Sequence, residues 1–270
     1  MLRPRIIPCL LIQNGGLVKT VNFASPKYVG DPLNAVRIFN DKEVDELFVA
    51  DIDATAKRRE PDYVLIGHMA AECRMPLCYG GGVRSVDQIA HIISLGVEKV
   101  ALSAAAVETP ALVAEAAKVV GTQSVVVVID VRRSGDRYQL CTHNGTKATG
   151  VCPTDFARTV ADLGAGEVVI NSIDRDGTMK GYDLELVSAI REAVNLPITV
   201  LGGAGSLKDI ETLFESFGTI GAAAGSLFVF KGVHRAVLIS YPPRDQKEAL
   251  IAHTSHLSNH GARSKTSHLT

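Results

Sequence analysis

The chain has 270 residues, enough for one large domain or two small ones, and 46% of them are hydrophobic, which supplies a sizeable core. Its formal net charge of −1 provides no bulk field to gather nucleic acid or acidic lipid. The five cysteines (Cys9, Cys73, Cys78, Cys141, Cys152) are odd in number and lack CxxC spacing, which argues against a disulfide framework or a zinc site and fits a reducing cytosol. The opening MLRPRIIPCLLIQNGG has too short an apolar run for a signal peptide, and no stretch approaches the roughly 20 apolar residues that span a bilayer. The expectation is a cytoplasmic protein without metal or cofactor.

Taken in order, short apolar runs alternate with amphipathic stretches. RIIPCLL leads into a glycine-containing first loop, read as long and mobile, and then into the helical pattern DPLNAVRIFNDKEV. ELFVAD, PLCYGGG and EKVALS follow, with SVDQIAHIISLG between the last two and PALVAEAAKVVG after them. The second half repeats the scheme with SVVVVID, EVVIN, PITVLGG and TIGAAAGS, separated by patterns such as DLELVSAIREAV and LKDIETLFESFG. Runs apolar on both faces suit strands buried on both sides, and parallel strands need helical crossovers. Eight such units over residues 1–252 predict one (β/α)8 barrel. The other architecture considered, an open doubly wound sheet, lacks its GxGxxG after the first strand. Residues 253–270 are polar without periodicity and are expected to be disordered; His253, His256 and His260 there lack a carboxylate or cysteine to complete a metal set.

The chain also repeats itself. YGGGVRSVDQI (79–89) resembles LGGAGSLKDIE (201–211), and VALSAAAV (100–107) resembles AAAGSLFV (222–229). The near-constant offset predicts two similar half-barrels. Under that symmetry IIPCLLIQNGG superposes on VVVVIDVRRSGD, and Leu11 falls on Asp130.

Barrel chemistry sits in the loops after the strands. Two loop pairs there, Gly82 with Ser103-Ala104 and Gly203 with Gly225-Ser226, combine glycines with a serine near a helix start. Such loops form phosphate cups when backbone N–H groups face an anion, or simply tight turns. Asp130 ends the fifth strand as a candidate acid or base; Asp51, with Asp53, ends the second; Asp174 and Asp176 lie in SIDRDGT; Lys19 lies in the first loop. Each aspartate has the alternative of capping a helix, the preferred reading for Asp53. At the opposite mouth Arg5, Glu46, Lys99 and Glu167 stand at or near four strand starts, as a ring of salt bridges or as solvated charges.

RIIPCL, YGGGVRS, TGVCPTDFAR, LGAGEVVINSIDRDGTMKGYDLEL and LGGAGSLKD together resemble the cyclase subunit family of imidazole glycerol phosphate synthase over roughly residues 1–240. The resemblance implies a barrel that takes ammonia from a glutaminase docked on its floor and delivers it to a doubly phosphorylated ribonucleotide. It implies substrate or phosphate contacts at Lys19, Asp51, Gly82, Ser103, Ala104, Asp176, Gly177, Thr178, Gly203, Gly225 and Ser226, and a charged gate at Arg5, Glu46, Lys99 and Glu167. The family's first strand ends in an aspartate that works with the one matching Asp130; here that position is Leu11. LLIQNGGLVKTVNF, PKYVGDPLNAVRIFNDKEVDEL, DIDATAKRREPDY and HRAVLISYP resemble the cyclase-like subunits encoded with surface-polysaccharide genes. That narrower resemblance implies a second partner, an ATP-using sugar amidotransferase that turns an acetamido into an acetamidino group. The expected function is therefore an ammonia-conducting subunit. The alternatives are a histidine-pathway cyclase-lyase and a non-catalytic scaffold that activates a glutaminase.

Overall fold

The computed structural model describes residues 3–252. Its barrel strands are β1 (Arg5–Gln13), β2 (Leu47–Asp51), β3 (Leu77–Gly80), β4 (Lys99–Leu102), β5 (Val125–Ser134), β6 (Glu167–Ser172), β7 (Ile198–Leu201) and β8 (Gly221–Ala224). The helices on the outside are α1 (Pro32–Asp41), α2 (Tyr63–Glu72), α3 (Val86–Ser94), α4 (Ala111–Val120), α5 (Pro153–Asp162), α6 (Leu184–Ala193), α7 (Leu207–Phe217) and α8 (244–252). Neighbouring strands pair in parallel all the way round. β1 bonds to both β2 and β8, and β5 to both β4 and β6, so the sheet closes and has no edge. An open doubly wound sheet would leave two edges and is excluded.

Closure gives every strand two buried faces. Ile7, Cys9, Phe48, Cys78, Ala101, Val126, Val128, Val169, Leu201 and Ala223 point inward and form one cluster. Their neighbours of opposite parity, such as Ile6, Leu10, Leu47, Val100 and Val127, pack outward against helix residues such as Phe39, Ile92 and Phe214. This double burial is why the runs read as continuously apolar and not alternating. The five cysteines are all free thiols. Burial pushes the Cys9 thiol up to about 11 despite the Lys19 ammonium nearby, so at neutral pH it packs as a small neutral hydrophobe.

The half-barrels match in detail. A Cβ on Gly81 would stand 2.3 Å from the Asp51 carbonyl oxygen, and one on Gly202 would stand 2.6 Å from that of Ser172. At each site the loop after one strand crosses the end of its neighbour too closely for any side chain. β1 and β5 also both run past the rim into hairpins. β1 turns at Asn14-Gly15, both with positive φ, and β5 turns at Gly135-Asp136. These are the two-residue turns that match strand twist.

The first of these hairpins gives the first loop a secondary structure that the sequence reading did not assign to it. Gly16–Val21 pairs antiparallel with β1, and Ala24–Gly30 pairs with Gly16–Val21. Lys19 is on that inner strand and is 5% exposed. Residues 17–18 are paired on both sides, and Ala24–Gly30 on one. No helix among the described residues is long and apolar enough to cross a membrane. The tail and its histidines, His253, His256 and His260, lie outside the described residues.

Helix starts are fixed locally. Ser206 and Asp209 form a reciprocal capping box on α7, each side chain accepting from the other's backbone N–H. Ser206→Ala removes one half of that box. Its expected cost is about 1 kcal/mol, read as a lower denaturant midpoint at unchanged m-value.

Candidate functional site

At the N-terminal end of the strands four charges meet on the barrel axis. Arg5 opens β1, Glu46 precedes β2, Lys99 opens β4 and Glu167 opens β6. The Arg5 guanidinium bonds to Glu46 and, at 2.6 Å, to Glu167. Lys99 Nζ reaches Glu46 at 2.9 Å and Glu167 at 2.8 Å. The ring is thus closed and electrically balanced. Both glutamates are 5% exposed, so these are not solvated strand starts. Thr199 Oγ1 donates to Glu167 Oε1 at 2.6 Å and completes the set. Burial pushes the Glu167 carboxyl up, but Arg5 and Lys99 outweigh it and hold the group below the usual carboxylate range. Burial works against Arg5 and Lys99 too, and the two glutamates hold both cations above their ordinary values. Directly inside the ring is a cavity with about 10 Å³ of free space, room for one molecule the size of water, between Ile7, Phe48, Cys78, Val126, Val169 and Ala223.

The other end opens into a cavity of about 210 Å³. Its wall includes Lys19, Asp51, Gly82, Ser103, Ala104, Asp130, Asp176, Gly177, Gly203, Gly225 and Ser226, together with Leu11. Thr178 is not in that wall; its hydroxyl closes its own turn by donating to the Arg175 carbonyl at 2.8 Å. Phe48 is the one residue that lines both this cavity and the small one behind the ring.

Asp130 sits at the centre of a short network. Ser103 Oγ donates to Oδ2 at 3.0 Å, and Asn171 Nδ2 donates to Oδ1 at 2.9 Å. Burial raises the carboxyl to about 6; the two donors pull it back and the Asp176 charge adds to the rise. It is ionised at neutral pH but takes a proton far more readily than an exposed aspartate. Asn171 escaped the sequence reading because it ends an ordinary apolar run. The half-barrel repeat was the available signal, since Asn171 pairs with Asp130 across β5–β6 as Ala50 pairs with Leu11 across β1–β2. One half thus carries a polar pair at the rim and the other an apolar pair.

The remaining acids are held structurally. Asp51 Oδ1 accepts from the N–H groups of Asp53 and Ala54, capping the helix Ile52–Ala56. Asp53 accepts from Asn14 N–H at 2.8 Å and from Lys57 at 2.8 Å, tying down the first hairpin turn. Asp174 accepts from Arg133 N–H at 2.6 Å. Asp176 accepts from Thr20 Oγ1 at 2.7 Å and from Phe23 N–H, which pins the hairpin over the mouth. Lys19 Nζ donates to the Cys9 carbonyl. Burial lowers its pKa, while Cys9 and Asp176 oppose the fall. A Cβ on Gly225 would lie 2.5 Å from that ammonium, so only glycine lets Lys19 rest against the loop after β8.

A closed (β/α)8 barrel with a polar, glycine-lined mouth over its strand C-termini belongs to the class that works through its βα loops. A family model described as histidine biosynthesis protein matches residues 5–234, and the chain belongs to that family. It is 54% identical over 253 residues to a protein of Leptospira interrogans named provisionally as imidazole glycerol phosphate synthase subunit HisF, covering 93% of this chain and all of the relative. A protein of Vibrio vulnificus, provisionally subunit hisF3, is also 54% identical, over 93% of this chain and 97% of its own length. The imidazole glycerol phosphate synthase subunit HisF of Hyphomonas neptunium is 44% identical over 85% of this chain and 91% of its own. The chain is thus a homologue of HisF subunits.

Asp130 gives a pH-dependent prediction. Its folded pKa of about 6 lies above the ordinary 3.8, so it costs least stability below the ordinary value and most once pH has risen through 6. Asp130→Asn keeps the shape without the charge. It is expected to stabilise the fold by about 1–3 kcal/mol at pH 7.5 and by little at pH 4, at roughly 1.4 kcal/mol per pKa unit. Denaturant titrations at the two pH values measure the difference.

Proposed function

We propose that this barrel accepts ammonia from a glutaminase docked on its floor and passes it through the bore to the mouth. The observation that carries the reading is the balanced ring of Arg5, Glu46, Lys99 and Glu167, with a one-molecule cavity directly inside it. Hydrated ions cannot cross an apolar bore without losing their water, at a cost of many kcal/mol. A small neutral molecule crosses it far more cheaply. Phe48 lines both this small cavity and the mouth, so the two lie on either side of one layer of inward-facing side chains.

The acceptor we infer is an acetamido sugar, converted to an acetamidino sugar by a separate ATP-using amidotransferase during surface-polysaccharide synthesis. Leu11 supports this over ring closure. It lies at the mouth opposite Asp130, where it can neither move a proton nor stabilise charge.

Mixing the purified chain with its glutaminase should give a complex by sedimentation and faster glutamate release. Absence of both removes the conduit reading. Lys99→Met should leave glutamate release activated while glutamine-dependent amidation falls well below ammonium-dependent amidation. Equal losses in the two would show that the ring does not gate transfer. The same substitution leaves Glu46 and Glu167 sharing one cation, with an expected stability loss of about 3 kcal/mol.

A histidine-pathway cyclase is the second reading, favoured by the family match and by Asp130, Lys19 and Asp176 around one mouth. With ammonium and that pathway's ribonucleotide, turnover is expected to be lower by about 10² to 10⁴ than in a HisF of histidine synthesis, the worth of one acid–base group. Comparable turnover would establish the cyclase instead.

A further inference from the structure

Asn171 carries a buried polar atom that no group among the described residues satisfies. Glu167, Val169 and Asn171 alternate along β6 and share its inward face, which runs from the floor ring past the small cavity to the mouth. Asn171 belongs to the wall of the mouth and is 7% exposed. It stands in register with Asp130 across β5–β6, and its Nδ2 donates to Asp130 Oδ1 at 2.9 Å. An ionised carboxylate accepts and cannot donate, so this bond fixes the amide with Nδ2 towards Asp130 and Oδ1 away from it. Asn171 Oδ1 is then left without a hydrogen-bond partner among the described residues. Buried acceptors are nearly always paired, and leaving one bare costs its desolvation.

The neighbours of this oxygen show what is missing. Ser103 Oγ also turns its hydrogen to Asp130, at 3.0 Å. A carboxylate can accept more than the two bonds that Asp130 receives from Ser103 and Asn171. The capacity left over on Asp130 and Asn171 is therefore capacity for donors. Lys19 is engaged on the Cys9 carbonyl, and Asp176 acts on both Lys19 and Asp130. On β5 and β6 the inward side chains between floor and rim are Val126, Val128 and Val169. Asp130 and Asn171 thus supply the first side-chain oxygens above that apolar stretch of these two strands. What fits the vacancy is a small molecule rich in N–H donors that arrives from the bore.

We propose that Asn171 Oδ1 and the Asp130 carboxylate form an acceptor site for ammonia at the exit of the bore, the bound molecule donating one hydrogen to each. This rests on the reading of the barrel as an ammonia conduit and gives that conduit a resting place at its end. A ligand of one heavy atom binds weakly, with a Kd on the order of 0.1 M. Ammonia in dilute solution leaves such a site empty. One molecule confined to a mouth of about 210 Å³ has an effective concentration of roughly 8 M, which fills it. The site therefore selects by route of arrival: ammonia delivered through the bore is held, and ammonia dissolved outside is not. Asn171 binds the molecule in transit and takes no part in making or breaking its bonds.

The test is titration of the carbon-13-labelled full chain with ammonium chloride, sodium chloride holding the ionic strength constant. The side-chain carbonyl carbon of Asn171 and the carboxyl carbon of Asp130 are followed, against ammonia-free blanks at each pH that remove any titration of Lys19. Saturable shifts of both carbons with one midpoint are expected. Measured against total ammonium, the affinity should tighten about tenfold between one pH unit below and one above the ammonium pKa, as the ammonia fraction does. Equal affinity at both pH values would mean that a cation binds, and would overturn the proposal. So would equal shifts with trimethylamine, which as a neutral base has no N–H to donate, or the absence of saturation. Asn171→Leu should weaken the Asp130 response about fivefold, the worth of one hydrogen bond; if that variant does not fold, the unmodified chain decides alone. No saturation beside an intact glutaminase response would remove the exit site and keep the conduit. Saturation without that response would keep the site and remove the conduit.

Discussion

Every barrel strand is hydrogen-bonded on both sides, so alternate side chains from all eight are forced into one common bore. Water cannot reach most of them, and the choice of residue at each level is therefore a choice of chemistry. In the middle the choice is apolar throughout, with Cys9 and Cys78 serving as small neutral fillers. At the floor it is charge, which survives burial only because each ion has two partners of opposite sign. At the mouth it is an uneven mixture, polar around Asp130 and apolar around Leu11.

That unevenness is the clearest departure from internal symmetry. The backbones of the two halves agree closely enough for Gly81 and Gly202 to be forbidden a side chain for the same reason. The rim residues nonetheless differ: Leu11 with Ala50 against Asp130 with Asn171. A carboxylate in one half needs nearby donors, which Ser103 and Asn171 supply. An isobutyl group in the other half needs none, and Leu11 and Ala50 simply extend the apolar lining upward. At these two matched rim positions the polar pair therefore belongs to one half-barrel and the apolar pair to the other.

Much of this was legible in the amino-acid sequence. Double-sided burial wrote the strands as unbroken apolar runs, and spacing alone then implied closure. The four floor charges stood out because each interrupts the start of such a run, although only the structure brings Arg5 on β1 within reach of Glu167 on β6, 162 residues along the chain. The hairpin in the first loop was not legible. Asn14-Gly15 is a strong hairpin signal, but the polar, glycine-bearing segment after it has no partner strand visible locally.

The floor ring has a further property. Glu167 is held low, and Arg5 and Lys99 are held high, so none of these three gains or loses a proton near neutrality. The acidity of the surroundings is then no signal to it. Salt acts weakly on ions this well enclosed. What can loosen the ring is a competitor: a polar side chain pressed against the floor that offers Lys99 or Arg5 another oxygen. A cluster held in this way is set by contact, and contact is what would rearrange it.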